Sequence, residues 1–400
     1  MIRNSLLALA GILAVLTVGH LPGAEAAPPA PPSVAAPDKV AEAAAPTRLP
    51  DEAIMAPTIV TTEVVTQVTG ADSPNDTATR WDISGTDLGH MFWHRDSLYM
   101  VFGDTFGQPG IFGKNWRSNT LAKIADPDPR NGLPFAGMIT AADGKAKELI
   151  PSRKIDGLEM TVIPTNGISV GDRMVLDYMS VKHWAATGGV WTVGHSGMAY
   201  SDDDGQTWAV PENARWPRGT GFEQVAYVQQ DDALYAFGIP EGRFGGARLR
   251  RVAPQSILDP ASYEYWDGSE WTSDASAAAV VVPAPVGELS VAWSNARRLW
   301  VMMYIDPEAH AIVLRTAPQL TGPWGQSRTV VTAEDYPGLY APFIVPGSDI
   351  DSDVFYTMSL WSKYNVFLMR TTLDWGSPAV ASVAEQPGSN AVLIETAQQP

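Results

Sequence analysis

The chain has 400 residues and a net charge of −17, with 27 basic against 44 acidic side chains. This balance argues against a nucleic-acid partner, because binding to phosphate backbones requires clustered Lys and Arg. The absence of cysteine excludes a disulfide framework, thiol catalysis and a cysteine-based zinc site.

The N-terminus predicts export. Arg3 precedes an apolar run over residues 6–18, and small residues then lead to Ala24-Glu25-Ala26. This is the layout of a signal peptide spanning residues 1–26. An uncleaved membrane anchor is the alternative, although the run is short for a membrane span. We expect a secreted or cell-envelope-associated protein that is not stably inserted in the membrane after signal cleavage.

The rest of the chain divides by composition. Residues 27–50 are rich in Ala and Pro and predict a flexible linker. Residues 51–373 predict one all-β domain, because the apolar runs are short and no long helical period is present. Residues 374–400 predict a flexible C-terminal tail, in which residues 391–394 could add one short strand. The predicted strands cover residues 59–68, 98–102, 174–181, 189–193, 223–229, 233–238, 299–305, 311–316, 354–360 and 365–371.

Neighbouring strands predict antiparallel hairpins. Residues 223–229 and 233–238 are joined at Asp231-Asp232, and residues 299–305 and 311–316 are joined by a short polar turn. Many such hairpins in one chain favour a sandwich, a barrel or a propeller.

A turn motif narrows this choice. The segment Ser201-Asp202-Asp203-Asp204-Gly205-Gln206-Thr207-Trp208 matches the Ser-x-Asp-x-Gly-x-Thr-Trp pattern of an Asp-box, a hairpin turn of propeller blades. Asp203 is expected to accept hydrogen bonds within the turn, and Trp208 to pack the turn onto the sheet, so we assign Asp203 a structural role. The segment from Ala317 to Trp324 is similar to a second turn of this kind.

Two aspartates are the best candidates for chemistry. Asp87 and Asp104 flank a predicted hairpin that contains residues 91–93 and 98–102. Both lie where a strand meets Gly or Thr, so both side chains could point into one cleft. Paired carboxyl groups in a cleft are typical of glycosidases. The structural alternative is that both aspartates cap turns.

An ordered set of short motifs carries a family resemblance. The set comprises Val68-Thr69-Gly70, Asp87-Leu88-Gly89, Gly103-Asp104-Thr105, Ser118-Asn119, Val162-Ile163-Pro164-Thr165, the Asp-box, Gly287-Glu288-Leu289-Ser290 and Tyr340-Ala341-Pro342. Together these motifs, which run from about residue 59 to 373, resemble the secreted actinobacterial endo-D-arabinanases of glycoside hydrolase family 183. The resemblance implies a five-bladed β-propeller that cuts internal α-linkages between D-arabinofuranose units of mycobacterial-type arabinogalactan and lipoarabinomannan. It also implies that Asp87 and Asp104 are catalytic.

As a hypothesis, one aspartate donates a proton to the leaving oxygen, and the other attacks the sugar or activates water. Which aspartate is the acid stays open. Glu288 is a third carboxylate that could bind a sugar hydroxyl or raise the pKa of the acid by like-charge repulsion, and a salt-bridged role is the alternative.

Sugar binding requires aromatic faces beside hydrogen-bonding groups. Trp116, Arg117 and Asn119 supply both in one short loop, and Tyr340 is a further candidate. Phe222 and Gln224 are further candidates for the cleft, with core packing as the alternative for each aromatic residue. His90, His94, His183 and His195 have neither the helical i, i+4 spacing nor the cysteine partners of a zinc site. One histidine could coordinate a ligand at the propeller axis, but we expect no metal and no cofactor.

Two other function classes stay open. A non-catalytic carbohydrate-binding propeller would not need the two aspartates. A sialidase-like exo-glycosidase would share the Asp-box but needs an arginine cluster for a carboxylate substrate. We expect a monomer whose partner is cell-wall D-arabinan.

Overall fold

The computed structural model describes residues 55–376, and antiparallel β-strands dominate it. The predicted signal peptide, the linker at residues 27–50 and the additional strand at residues 391–394 lie outside the described residues. The final strand reaches Asp374, one residue beyond the predicted domain boundary. Within residues 55–376, no helix is long and apolar enough to cross a membrane.

The strands alternate with tight turns along the chain. In order they are β1 (Thr58–Gln67), β2 (Leu88–His94), β3 (Ser97–Phe102), β4 (Thr120–Ile124), β5 (Phe135–Met138), β6 (Thr161–Val170), β7 (Arg173–Trp184), β8 (Trp191–Ser201), β9 (Arg215–Pro217), β10 (Gln224–Gln230), β11 (Ala233–Ile239), β12 (Ala247–Val252), β13 (Glu264–Trp266), β14 (Trp271–Thr272), β15 (Val280–Val282), β16 (Leu289–Ser294), β17 (Leu299–Asp306), β18 (Ala311–Ala317), β19 (Arg328–Thr332), β20 (Leu339–Ile344), β21 (Asp353–Leu360) and β22 (Asn365–Asp374). Helical segments are short: α1 (Thr77–Trp81) and four 3₁₀ turns at Pro129–Asn131, Pro254–Ser256, Pro260–Ser262 and Ala275–Ala277.

The described strands form five antiparallel sheets. Sheet 1 contains β2 to β5, sheet 2 contains β6 to β9, sheet 3 contains β10 to β15 and sheet 4 contains β16 to β19. Sheet 5 has the order β20-β21-β22-β1, so the first described strand completes the last sheet. The first strands of the sheets contact one another in a ring: β2 with β6, β6 with β10, β10 with β16, β16 with β20, and β20 with β2. We call the end of the ring where these strands begin the upper face, and the other end the lower face.

Each neighbouring pair of sheets encloses its own group of buried apolar side chains. Along β3, Met100 packs toward sheet 5, whereas the adjacent Val101 packs toward sheet 2. Successive side chains of a strand point to opposite faces, so a strand that is covered on both faces has an unbroken apolar sequence. This explains why residues such as 98–102 stand out in the sequence.

The predicted hairpins are confirmed. The pairs Gln230↔Ala233 and Asp306↔Ala311 close the β10–β11 and β17–β18 turns. The other predicted runs also correspond to strands, although residues 189–193 cover only the start of β8.

The two turn motifs occupy equivalent positions, after the third strand of sheets 2 and 4. In the Asp-box, Asp203 accepts hydrogen bonds from the Thr207 amide at 2.8 Å and the Thr207 hydroxyl at 2.6 Å. The indole of Trp208 donates to the Gly205 carbonyl at 2.9 Å. In the second motif, the indole of Trp324 donates to the Leu320 carbonyl at 3.2 Å. Asp203 therefore has the structural role that the motif predicts.

Candidate active site

The predicted acids lie together on the upper face. Asp87 immediately precedes β2, and Asp104 follows the end of β3, so the β2–β3 hairpin delivers both to one end of the ring. Glu288 immediately precedes β16, and Tyr340 is the second residue of β20. Because all the first strands run in the same direction through the ring, residues at their starts converge although they are far apart in sequence.

Asp87 is half-buried, and its two carboxylate oxygens differ. Oδ2 accepts a hydrogen bond from the Tyr340 hydroxyl at 2.9 Å. Oδ1 is shielded from solvent and has no hydrogen-bond partner within residues 55–376. Burial raises the pKa of Asp87 to about 7, and the negative charges of Asp104 and Glu288 act in the same direction. This carboxyl group therefore retains its proton far more readily than an exposed aspartate does.

Asp104 is buried, with 7% of its surface exposed. Its Oδ1 accepts hydrogen bonds from the Thr161 hydroxyl at 2.5 Å and the Trp116 indole at 2.7 Å. Burial raises the pKa of Asp104 to about 7, while these two donors and the charge of Lys154 oppose the rise. The donors fix Oδ1, and Oδ2 has no protein hydrogen bond in the described part of the chain.

A paired carboxylate completes the acidic group. Glu288 forms a bidentate ion pair with Arg243, with Nη2–Oε1 and Nε–Oε2 distances of 2.7 and 2.8 Å. Arg243 also lies over the ring of Tyr340, with its Cζ 5.0 Å from the ring centroid. The guanidinium compensates the buried charge of Glu288, which would otherwise be costly next to Asp87.

Aromatic residues border the site on one side. The ring of Phe106 stacks on Trp116 at 5.8 Å and lies 5.8 Å from the ring of Tyr364. Phe112 contacts Phe106 edge-on at 6.1 Å, and 60% of its surface is exposed. A large apolar side chain exposed in a loop that borders the two aspartates is a surface on which a ligand can stack.

His90 lies within β2 and is neutral. Its Nδ1 is 2.8 Å from the Thr165 carbonyl oxygen, which only accepts hydrogen bonds, so Nδ1 carries the proton. Burial lowers the pKa of His90 to about 4. Its Nε2 is buried and has no partner among residues 55–376, so it presents a lone pair to a hydrogen-bond donor.

Two predicted substrate-binding residues require correction. Asn119 is fully buried, and its side chain bonds only to the backbone: its Nδ2 donates to the Ile150 and Val162 carbonyls, and its Oδ1 accepts from the Leu149 and Ile150 amides. Arg117 is also buried, and its guanidinium donates to the Asp82 and Ala146 carbonyls. Both side chains stabilise loops below the surface, where a sugar cannot reach them.

Four other residues predicted to contact a sugar lie in two different places. Trp116 and Tyr340 are at the site, but they hold the two aspartates by hydrogen bonds, and Tyr340 is only 5% exposed. Phe222 is fully buried, and Gln224 is buried with its amide bonded to the Gly242 carbonyl at 2.9 Å. These last two residues are therefore not in a cleft.

Several site residues were not predicted, namely Arg243, Tyr364, Thr161, Lys154 and His90. Arg243 and Tyr364 come from the β11–β12 loop and the β21–β22 turn, in sheets remote in sequence from Asp87. The Gly-rich composition around Arg243 indicates a loop but gives no sign of its partner. Thr161 is the first residue of β6 and is followed directly by apolar residues. This position at the start of a strand is the only local indication that it could reach the site.

Several solved structures resemble this chain at low sequence identity. A Bacteroides ovatus protein described only provisionally as a hydrolase matches with a TM-score of 0.54 and 12% identity, over 74% of this chain and 88% of that chain. An exo-β-1,3-galactanase from Phanerochaete chrysosporium matches with a TM-score of 0.48 and 10% identity, over 78% and 64%. A thermostable family-43 glycoside hydrolase matches with a TM-score of 0.44 and 12% identity, over 77% and 96%.

No curated protein matches the sequence. A family model does match it over residues 72–370, which includes every residue of the site described above. Since this match covers most of the chain, the chain belongs to the family described as domain of unknown function DUF4185.

Proposed function

We propose that this protein is a glycoside hydrolase that cleaves internal linkages of D-arabinan. The observation that carries the proposal is the pair of shielded carboxyl groups, Asp87 and Asp104, each with its pKa raised to about 7, on one face of the ring. Two interacting carboxyl groups with these pKa values hold one proton between them near neutral pH. Glycosidic cleavage requires such a pair, one acid and one carboxylate.

We infer that the five sheets are the blades of a five-bladed propeller. The ring of contacts among β2, β6, β10, β16 and β20 supports this architecture, as does the apolar core between each pair of neighbouring sheets. The pairing of β1 with β22 joins the beginning and end of the domain in one blade. The site then lies at one end of the propeller, next to the aromatic border that includes the exposed Phe112.

The surroundings of the two acids suggest distinct roles. Negative charges from Asp104 and Glu288 surround Asp87 and favour its protonated form, whereas the hydroxyl groups of Tyr340 and Tyr364 act in the opposite direction. Asp104 accepts hydrogen bonds from Thr161 and Trp116 and lies near the cation Lys154, which together favour its ionised form more than the nearby Glu148 opposes it. We assign Asp87 as the acid that protonates the leaving arabinose oxygen. Asp104 then stabilises the oxocarbenium-like centre through Oδ2, either by direct attack or by activating water.

The choice of D-arabinan rests on the ordered motifs that resemble family 183. An aromatic border that includes Phe112 supports a sugar substrate, because sugar rings present C–H faces that stack on aromatic rings. Partial charge compensation inside the site also suits a neutral polysaccharide, since Glu288 is already paired with Arg243.

The decisive experiment compares hydrolysis of mycobacterial-type D-arabinan by the native protein and two variants. Asp87→Asn and Asp104→Asn are each expected to lower polymer cleavage by about 10³-fold, the scale of a lost acid–base group. A ladder of short oligosaccharides from the native protein would identify endo cleavage. Asp96→Asn is the matched control, because Asp96 is an exposed aspartate at the other end of the same hairpin.

The leaving group distinguishes the two roles. An aryl glycoside of a short arabino-oligosaccharide with an acidic phenol needs no proton from the enzyme. Asp87→Asn should therefore keep much of its activity on this substrate, whereas Asp104→Asn should lose it. If the native protein binds D-arabinan but releases no reducing ends, the carbohydrate-binding alternative replaces the enzyme.

We propose further that the enzyme is exported by residues 1–26 and acts on the envelope as a monomer, with residues 27–50 as its linker. A reporter that folds only outside the cytoplasm, fused after residue 50, tests export directly. Replacing the apolar run at residues 6–18 with polar residues should abolish the reporter signal.

A further inference from the structure

A cavity lined by aromatic side chains lies on the lower face, between sheets 3 and 4. Its volume is about 630 Å³, which is within the range of about 300–1,000 Å³ of known ligand sites. Four tryptophans, Tyr235, Gln229, Gln230 and the turn at residues 318–321 line it.

This cavity is separate from the candidate active site. Gln229 and Gln230 end β10, and Trp293 is the second-to-last residue of β16. Glu288 precedes the first residue of that same strand β16, so the acidic site and the cavity are at opposite ends of the ring. The turn that contributes residues 318–321 is the second blade-turn motif, which has no role in the proposed reaction.

The aromatic side chains form two adjoining groups. Trp293 and Trp300 have ring centroids 5.0 Å apart. Trp271 lies 5.4 Å from Trp266 and 5.8 Å from Tyr235. Trp300 is nearly buried, but Trp293 is 37% exposed, so the first group offers a ring surface to a ligand.

The polar groups in the cavity are uncharged. The amides of Gln229, Gln230 and Gln319 can both donate and accept hydrogen bonds. The hydroxyl groups of a sugar have the same two capacities, so the amides can pair with them. Among the described residues that line the cavity, the Tyr235 phenol is the one ionisable group. The nearby Arg251 stacks on Trp271 at 4.3 Å and is paired with Glu264 at 2.8 Å, so its charge is compensated.

We propose that this cavity is a non-catalytic binding site for a neutral oligosaccharide segment. Indole faces cover the apolar faces of sugar rings, and amides satisfy their hydroxyls, whereas a charged ligand would find no counter-charge. The described lining offers aromatic faces and amides, which bind sugars, and contains no pair of carboxyl groups of the kind proposed for cleavage at the upper face. The choice of D-arabinan as the ligand rests on the proposed function. The aromatic and amide surface of the cavity is an observation that is independent of that function.

The test measures retardation of the full chain in native gels that contain D-arabinan, arabinogalactan, galactan or mannan. Trp293→Ala, in an Asp104→Asn background that prevents cleavage, should weaken binding to at least one polymer about tenfold. Trp293→Phe keeps an aromatic face and should restore much of the affinity. Trp93→Ala is the matched control, because Trp93 is 42% exposed at the second-to-last position of β2 and does not line the cavity.

A second measurement separates this site from the active site. In the otherwise native chain, Trp293→Ala should leave kcat/KM on a short oligosaccharide unchanged but raise KM on the polymer. If D-arabinan is not cleaved yet Trp293-dependent retardation is found with another neutral glycan, the proposed function fails and the cavity proposal stands. The cavity proposal would be overturned by equal retardation of the Trp293→Ala and Trp93→Ala variants in every polymer. Self-association of the protein that depends on Trp293 would also overturn it.

Discussion

The Oδ1 atom of Asp87 occupies the space that a Cβ atom on Gly103 would need. A methyl group built on Gly103 collides with this oxygen and also approaches Leu88 Cδ1 to 3.2 Å. Gly103 immediately precedes Asp104, so one residue without a side chain lets the two acids approach each other. Gly103 is needed because it has no side chain and not because of its backbone conformation, since its φ angle is not in the left-handed region.

Gly103→Ala is therefore expected to displace the Asp87 carboxylate without unfolding the domain. Small displacements of a reacting group cost up to about 10²-fold in rate, so we expect kcat to fall 10- to 100-fold. Initial rates and thermal unfolding of the same preparation measure both effects. Gly137→Ala is the control, because a methyl group at Gly137 meets no atom within 4 Å. Equal activity of both variants would show that Asp87 does not need this space.

Glu288→Gln is expected to shift the pH dependence of the reaction. The charge of Glu288 raises the pKa of Asp87, so its removal lowers that pKa, and the freed Arg243 acts in the same direction. If Asp87 is the acid, the basic limb of kcat/KM against pH moves to lower pH.

The matched control for this profile is Glu63→Gln, which breaks an exposed pair with Arg370 (2.7 Å) on β1. It should leave both limbs in place. A shift of the acidic limb alone after Glu288→Gln would instead assign Asp87 as the carboxylate.

Asp104→Asn is expected to stabilise the protein at alkaline pH. The pKa of Asp104 rises from 3.8 to about 7 on folding, so between these values the folded state binds more protons than the unfolded state. Stability due to this group is thus complete below about pH 4 and is lost as the pH rises through 7, at a cost of up to about 4 kcal/mol. The asparagine avoids this cost and keeps an oxygen for Thr161 and Trp116. Chemical denaturation at pH 4.5 and pH 8 tests this, and a variant less stable than the native protein at pH 8 would refute it.

Asp177→Asn is expected to destabilise the junction between sheets 2 and 3. Asp177 Oδ2 lies 3.2 Å from Nη2 of Arg250, which is fully buried among aromatic rings. Loss of one charge leaves the other buried and uncompensated, which costs about 3 kcal/mol or more. Urea unfolding at pH 7.5 measures the loss, and kcat should not change.

Two further variants test whether the loss of stability is specific to the buried Asp177–Arg250 pair. The double variant Asp177→Asn with Arg250→Met removes both charges and should regain part of the lost stability. The exposed pair of Glu63 with Arg370 should cost less than about 1 kcal/mol when it is broken by Glu63→Gln. Similar losses for Asp177→Asn and Glu63→Gln would contradict a special role for the buried pair.

The sequence predicts the continuous apolar strands well, but it misses β6, β16 and β20, which are first strands of their sheets, and the arginine-rich β12. Residues 98–102 and 299–305 are apolar throughout because both strand faces are buried, and the observed strands differ from the predicted ones by one residue. Strand β12 (Ala247–Val252) was missed because it contains three arginines. Arg250 can be buried there only because Asp177, 73 positions away, pairs with it, and no local pattern reports such a partner.

The same limit applies to the site. Asp87 and Asp104 could be placed together because one hairpin carries both. Asn119 was misassigned because a buried amide that bonds to the backbone has the same sequence pattern as one that binds sugar. Arg243 could not be found at all, since its significance depends on contact with Glu288 from another sheet.

The pairing of β1 with β22 sets a constraint on the order of folding. Thr58 is opposite Asp374, so β1, the first strand of the described residues, has no partner until almost the whole domain has been made. Until then β1 presents an unpaired backbone edge, and such edges favour association between chains. Contacts this distant in sequence also slow folding. A chain translocated in an unfolded state would reach this last step only after its C-terminal strand had followed, so the ring would close as the final event of biogenesis.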